Sequence, residues 1–321
     1  MRPFGDFNVH PAAKGLHYAV QLFEVLKAYR GVDGKFRIFR PDKNIERMKR
    51  TAIRSCLPDF HMEEALQLLD ELVRVESHSF PEPHTGSFYI RPMMFSTDTS
   101  LGLGQPKSAK WACFGSLVSN YFNYEKGLRL LADPTYIRSW PGGVGQYKMG
   151  CNYAPTFLSS SNAAKLDCDQ VIWLSGENQL VTEAGAMNLF VLWKNEEGED
   201  ELITPPLTSG LLLPGITRLS VLELAREWNC FIVAEKDFTM NQLSTAIKEN
   251  RVYEIFSAGT AAVVGPVSEI LYIDKRNNIN ETLAVPTIAS EHKFYNRVLK
   301  TMTQIHYGEI ERKEWQRVVD L

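Results

Sequence analysis

Apolar residues recur along this chain with two periods, one near 3.6 and one near 2, and glycine or proline stands at the change-overs. Residues 16–30 are dense in apolar and aromatic side chains (Leu16, Tyr18, Val20, Leu22, Phe23, Val25, Leu26, Tyr29). They stop at Gly31-Val32-Asp33-Gly34, before an alternating stretch over 35–40. That pattern predicts strand, turn, strand. Pro41-Asp42 then opens a helix predicted through Arg54, with Ile45, Met48, Ala52 and Ile53 inward and Lys43, Arg47, Lys49 and Arg50 on a basic outer face. A second helix is predicted over 62–75. Residues 87–96 alternate as a strand that puts Tyr89 and Arg91 on one face, and Pro92 inside it predicts an edge or a bulge.

Another apolar strand is predicted over 110–119, and residues 120–127 lack a period and read as an interdomain connection. Beyond them come Leu128 to Ala132, a glycine-rich segment around Lys148, and a helix predicted over 153–166. Residues 169–174 read as a buried strand and 180–193 as a long one, interrupted at Glu183-Ala184-Gly185-Ala186. Residues 195–201 form a charged hairpin tip. Leu213-Pro214-Gly215-Ile216-Thr217-Arg218 opens a helix, a strand follows at 231–235, a helix at 240–250, and a strand from 251 runs into Ser257-Ala258-Gly259-Thr260-Ala261-Ala262. A last helix is predicted over about 290–305.

Composition narrows the function classes. The 321 residues have room for about two domains of ~150 residues, and 35 basic against 38 acidic side chains leave a net charge of −3. Such a balance offers no broad footprint for nucleic acid or an anionic membrane and favours a small-molecule partner. The five cysteines show no CxxC spacing and the seven histidines are scattered, so neither a disulfide framework nor a metal site is expected. No apolar run reaches the ~20 residues of a membrane span, and the chain reads as soluble and intracellular.

Four features carry chemistry. Lys148, among small residues, can place its amine where backbone approaches backbone, partly dry and suited to act as nucleophile or base. Glu183 lies in an apolar strand pair, where a carboxylate costs several kcal/mol unless it meets a cation or a strong donor. The Pro-Gly opening of the helix at Ile216 frees its first amides for an anion. The small residues after Phe256 again offer bare amides.

The segments LHYAVQLFEVLKAYR (16–30), RIFRPDKNIERM (37–48), YIRP (89–92), KMGCNY (148–153), TEAGAMNLF (182–190), TPPL (204–207), LPGITR (213–218) and SAGTAAVVGPVS (257–268) follow one another at plausible spacings. Together they resemble the class IV, fold type IV pyridoxal phosphate aminotransferases, most closely the branched-chain amino acid aminotransferases of animals. The resemblance implies an α/β (α+β) protein of two domains. A smaller α/β domain would occupy 1–120, a connection 121–136, and a larger cofactor-binding domain with a barrel-like β core 137–321. The active site would lie at the domain junction and at the interface of a homodimer.

It further implies that Lys148 forms the imine with pyridoxal 5′-phosphate, that Glu183 faces the pyridine nitrogen and that Tyr153 meets the phenolic oxygen. Arg47, the amides of Ile216 and Thr217, and Thr260 would hold the phosphate side. Thr260 and Ala261 would take the substrate's α-carboxylate, and Tyr18, Phe23, Tyr153 and Ala186 would shape the side-chain pocket. Tyr89 and Arg91 would reach in from a second subunit, Arg91 pairing with the distal carboxylate of glutamate. The implied reaction is ping-pong transamination of leucine, isoleucine and valine with 2-oxoglutarate.

Alternatives of the same fold are a D-amino acid aminotransferase or an aminodeoxychorismate lyase. An alternative of another class is a non-catalytic binding protein that kept the fold. The chain departs from the family pattern at Val25 and Cys151, where relatives have glycine, and at Ala186, where close relatives have threonine. Ala262 and Gly265 stand in place of a redox-active thiol pair. Relatives carry a further strand before the point where this chain starts, so a shortened first domain is expected and the compartment, cytosol or mitochondrial matrix, stays open.

Overall fold

A computed structural model describes residues 3–119 and 126–321. The expected connection at 120–127 falls largely outside the described residues. The chain divides into two compact units. One comprises Met1–Asn120, Tyr147–Ala154 and Thr303–Leu321; the other comprises Tyr121–Gln146 and Pro155–Met302. The lysine segment and the C-terminal tail therefore group with the N-terminal residues, whereas the boundary expected near residue 137 puts both in the large domain.

The first unit begins with a short helix, α1 (Lys14–Tyr18), where a strand was expected, and Leu16 and Tyr18 on it are exposed. Strands β1 (Gln21–Phe23), β2 (Leu26–Arg30) and β3 (Phe36–Phe39) precede α2 (Pro41–Arg54) and α3 (Met62–Glu76). Two long strands, β4 (Gly86–Ser96) and β5 (Ala109–Ser119), follow. Pro41 at the first helical position and Asp42 in the first turn suit the start of α2. Ile45, Met48 and Ala52 point into a core shared with Leu22, Leu26, Ile38, Leu69, Val73, Phe88 and Ile90.

Two inferences from periodicity fail on α2. Ile53 is 68% exposed and Arg47 only 6%, so the stripe beside the apolar one is buried although it is polar.

Contrary to the edge expected from Pro92, β4 is interior. It pairs antiparallel with β5 along its whole length and, on its other side, first with β2 and then with β1. The proline is tolerated because it faces the break between those two strands. Leu26 pairs with Ile90 and Phe23 with Met93, and between them the Glu24 N–H still meets the Pro92 carbonyl at 2.7 Å, so the ladder bond that a proline cannot give is lost only at this gap.

In the second unit, β6 (Leu128–Ala132) is followed by α4 (Phe157–Ala164), a shorter helix than expected because residues 150–156 form two 3-10 turns. Next come β7 (Gln170–Ser175), β8 (Leu180–Ala184), β9 (Met187–Lys194), β10 (Asp200–Thr204), α5 (Ile216–Trp228), β11 (Ile232–Glu235) and α6 (Met240–Lys248). The unit continues with β12 (Val252–Gly259), β13 (Val263–Asp274) and β14 (Ile279–Ala284). In the order β9-β12-β13-β6-β7-β8, with β8 pairing back onto β9, six strands close into a barrel, the barrel-like core expected. Its interior holds Leu130, Ile172, Val181, Leu189, Val191, Ile255, Val267 and Ile270.

The interruption read at 183–186 is a hairpin. Ala184 pairs with Met187 across the two-residue loop Gly185-Ala186, and Gly185 takes φ +57°, which this loop requires at its first position. Helix α7 (Phe294–His306) leads back to the first unit, where β15 (Gln316–Val319) pairs with β3. No helix among the described residues is long and apolar enough to cross a membrane.

Candidate active site

The residues singled out by sequence fall into two constellations, one in each unit. In the first, Lys148 is nearly buried, and its Nζ lies 3.0 Å from the Tyr153 hydroxyl, as a five-residue separation across a 3-10 turn allows. The amine sits 4.8 Å from the centre of the Phe23 ring and 5.5 Å from that of Tyr153, and the two rings are 4.9 Å apart. The Arg91 guanidinium also stands by Phe23, 4.7 Å from the ring centre, and its Nη2 donates to the Tyr89 hydroxyl at 2.5 Å. The Arg91 Nε is buried with no hydrogen-bond partner among the described residues. A dry guanidinium with an unused donor suits a carboxylate.

The resemblance has Tyr89 and Arg91 arriving from a second subunit; within this chain they already stand beside its own Phe23. The pairing of β4 with β1 brings them there. Tyr18 is not part of the cluster: it is 41% exposed and its hydroxyl donates to the Leu101 carbonyl.

Arg47 pairs with Glu24 through its Nε and Nη2. Nε donates to Oε1 at 2.8 Å and Nη2 to Oε2 at 2.7 Å, and Asn44 Nδ2 donates to Oε2 at 2.8 Å. Neither Glu24 nor Asn44 stands out in the sequence, although Asn44 lies one helical turn before Arg47. Val25 keeps a negative φ, so the backbone there makes no demand that only glycine could meet. Cys151 lies half-buried in the turn after Lys148, and burial pushes its thiol up while Arg54 pulls the other way. All five cysteines are free.

In the second unit Glu183 is 2% exposed and answered on several sides. Oε2 forms an ion pair with Arg138 Nη1 at 2.8 Å, and Oε1 accepts from Asn188 Nδ2 and from the Leu213 N–H, both at 3.2 Å. The guanidinium is aimed in turn by the carbonyls of Leu211 and Gly145, at 3.2 and 3.3 Å. The partner that burial demanded is thus Arg138, which sequence reading missed; it is a lone arginine in a loop, and only the fold brings it to β8.

Asn188 also donates to the Leu213 carbonyl at 2.9 Å, tying the hairpin to the segment before α5. There a side chain on Gly215 would meet Asn188 Oδ1 at 2.1 Å and push Asn188 from its place. Helix α5 begins with no side-chain cap, leaving its first amides, those of Ile216 and Thr217, to an external acceptor. Glu183, Asn188 and Ala258 lie side by side across β8, β9 and β12, and Thr260 and Ala261 form the turn just beyond. Ala186, exposed in its hairpin, belongs to the same barrel end.

Residues 21–270 match the family model Amino-transferase class IV. The chain is 48% identical over 318 residues to the cytosolic branched-chain-amino-acid aminotransferase of Caenorhabditis elegans, covering 99% of this chain and 77% of that protein. It belongs to the branched-chain-amino-acid aminotransferases. The cytosolic enzyme of Rattus norvegicus is 46% identical over 98% of this chain and 75% of its own length, and the mitochondrial enzyme of that animal is 44% identical over 96% and 77%.

Among solved folds, a branched-chain aminotransferase from Thermoproteus uzoniensis with norvaline superimposes with a TM-score of 0.78 at 23% identity, covering 98% of this chain and 95% of that one. The branched-chain amino acid aminotransferase from Thermobaculum terrenum in its PLP form gives 0.76 at 22%, over 98% and 94%. For a branched-chain-amino-acid aminotransferase, the two constellations offer the groups such an enzyme needs: an amine, a phenol, a carboxylate, an uncapped helix start and cations.

Proposed function

We propose that the protein transfers the amino group of leucine, isoleucine and valine to 2-oxoglutarate using pyridoxal 5′-phosphate. The observation that carries this reading is the Lys148 amine, nearly buried and 3.0 Å from a tyrosine hydroxyl, in a chain of this family. The donor set suits the cofactor, since a buried carboxylate already faces a cation in Glu183 and an uncapped helix awaits an anion at Ile216.

When bound, the cofactor supplies an aldehyde that condenses with amines and a ring that draws electrons from the substrate's α-carbon. Lys148 gives the anchoring amine and, once displaced by substrate, takes the proton from the substrate's α-carbon and would deliver it to the cofactor's imine carbon. Tyr153 orients the phenolic oxygen, and Glu183, fixed by Arg138 and Asn188, keeps the pyridine nitrogen protonated. Arg47, Thr260 and the amides of Ile216 and Thr217 take the phosphate. Thr260 and Ala261 receive the α-carboxylate, Phe23 and Tyr153 wall the side-chain pocket with Ala186, and Arg91 with Tyr89 receives the distal carboxylate of glutamate. The working form is a homodimer in the cytosol or the mitochondrial matrix; the relatives are named cytosolic or mitochondrial.

Purified protein should absorb visibly with bound cofactor and bleach on adding leucine. Borohydride should fix the cofactor to the peptide containing Lys148, seen by mass spectrometry, and Lys148→Ala should lose that label with activity down more than ~10³-fold. A wild-type protein that neither takes the cofactor nor reacts with leucine sinks the proposal; reaction with D-alanine but not leucine moves it to another substrate class.

A further inference from the structure

Helix α2 buries two parallel stripes. Ile45, Met48 and Ala52 form the apolar one; Asn44, Arg47 and Thr51, one position back at the same helical spacing, form a polar one. Buried polar groups are retained where they find partners. Asn44 and Arg47 find Glu24, as described, but Thr51, fully buried, looks elsewhere. Its hydroxyl donates to the Arg47 carbonyl at 2.9 Å, an ordinary bond for a helical threonine, and accepts the N–H of Lys148 at 3.2 Å. That second bond reaches a residue far away in sequence and is not needed by the helix.

The opposite side of the lysine backbone is held as well. The Phe23 N–H donates to the Lys148 carbonyl at 3.2 Å, and Leu22 bridges to Met149. Since Glu24 adjoins Phe23 and grips Arg47, the contacts close a ring: Lys148 to Thr51, along the helix to Arg47, across to Glu24, through Phe23 and back to Lys148. The side chain of Lys148 must change partners during turnover, while both of its backbone polar groups are fixed. We propose that Thr51 is a positioning residue for Lys148, its hydroxyl coupling the lysine's amide to the Arg47 carbonyl so that the amine keeps one approach as it is engaged and released. This rests on Lys148 being the residue that bonds the cofactor.

The test compares Thr51→Val, which keeps the shape without the hydroxyl, with Thr51→Ala and Thr51→Ser in cofactor-loaded enzyme. In the Val and Ala variants kcat for leucine should fall about tenfold with KM changed less than about twofold, because a small misplacement of a reacting group costs rate more than binding. The pH midpoint of the visible absorption band should move in the same two variants, and Thr51→Ser should restore both readings. Wild-type kcat and midpoint in Thr51→Val or Thr51→Ala overturn the proposal, as does a Thr51→Ser variant that falls as far as the others. Should Thr51→Val fail to fold, Thr51→Ala against Thr51→Ser decides by the same readings. A Lys148→Ala arm separates the two levels: if borohydride still labels that variant, the reading of Lys148 is at fault; if it does not and the Thr51 variants behave as wild type, only the positioning role fails.

Discussion

The lysine and the acid of this protein are held in opposite ways. Lys148 is fixed through its backbone, by Thr51 and Phe23, while its amine meets the Tyr153 hydroxyl and the Phe23 ring. Glu183 is fixed through its side chain, whose two oxygens meet Arg138, Asn188 and the Leu213 amide. A group that must leave one partner for another needs a rigid base and a loose tip; a group that only holds a charge gains from being locked at its tip. The two regions show both solutions within one chain.

Unlocking Glu183 should do the most damage. Arg138→Met leaves a buried carboxylate without its cation and should cost about 3–5 kcal/mol of stability, read from chemical denaturation. Adding Glu183→Gln should recover much of the loss; a double variant as unstable as the single one would mean that Arg138 matters for packing and not for charge. Arg91 probes the loose tip of the other region. Arg91→Gln should raise KM for glutamate roughly tenfold or more while leaving leucine within about threefold, since only the dicarboxylate needs the charge. Equal losses for both substrates would place Arg91 in the pocket wall instead of at a distal carboxylate.

The first unit is distinguished by pH as well. His306 stacks on Tyr29 at 4.5 Å, and burial together with the nearby Lys27 charge lowers its pKa to about 3. Between that value and the ordinary 6.5 the unfolded chain binds one more proton than the folded one. Stability present above pH 6.5 is therefore lost on acidification, at up to ~1.4 kcal/mol per pH unit. His306→Phe should flatten the fall of Tm between about pH 6.5 and 4; an unchanged slope would assign the acid sensitivity to other groups.

Lys148, Arg47, Glu183 and the amides at Ile216 were legible because each is unusual in its local pattern or falls in a motif whose order along the chain is specific. The helix α2, the barrel strands and the apolar stripe of Ile45, Met48 and Ala52 follow from periodicity alone. Periodicity misled where a second stripe was buried: Arg47 reads as part of a basic outer face, and only a carboxylate from β1's end makes its burial tolerable, as an amide from a distant loop does for Thr51 beside it. Pro92 reads as an edge or a bulge because a proline cannot serve a ladder, and only the tertiary pairing shows an interior strand with a gap opposite it.

Sequence by itself determined the elements and the reactive residue types, since these depend on spacing of about 2 or 3.6 and on the chemistry of single side chains. Tertiary structure decided who answers whom: Arg138 for Glu183, Glu24 for Arg47, Thr51 for the Lys148 amide, and Arg91 beside Phe23 within one chain. The physical reason is that a buried charge or donor states a need that sequence can show, while the partner that meets it lies wherever strand pairing and helix packing bring it.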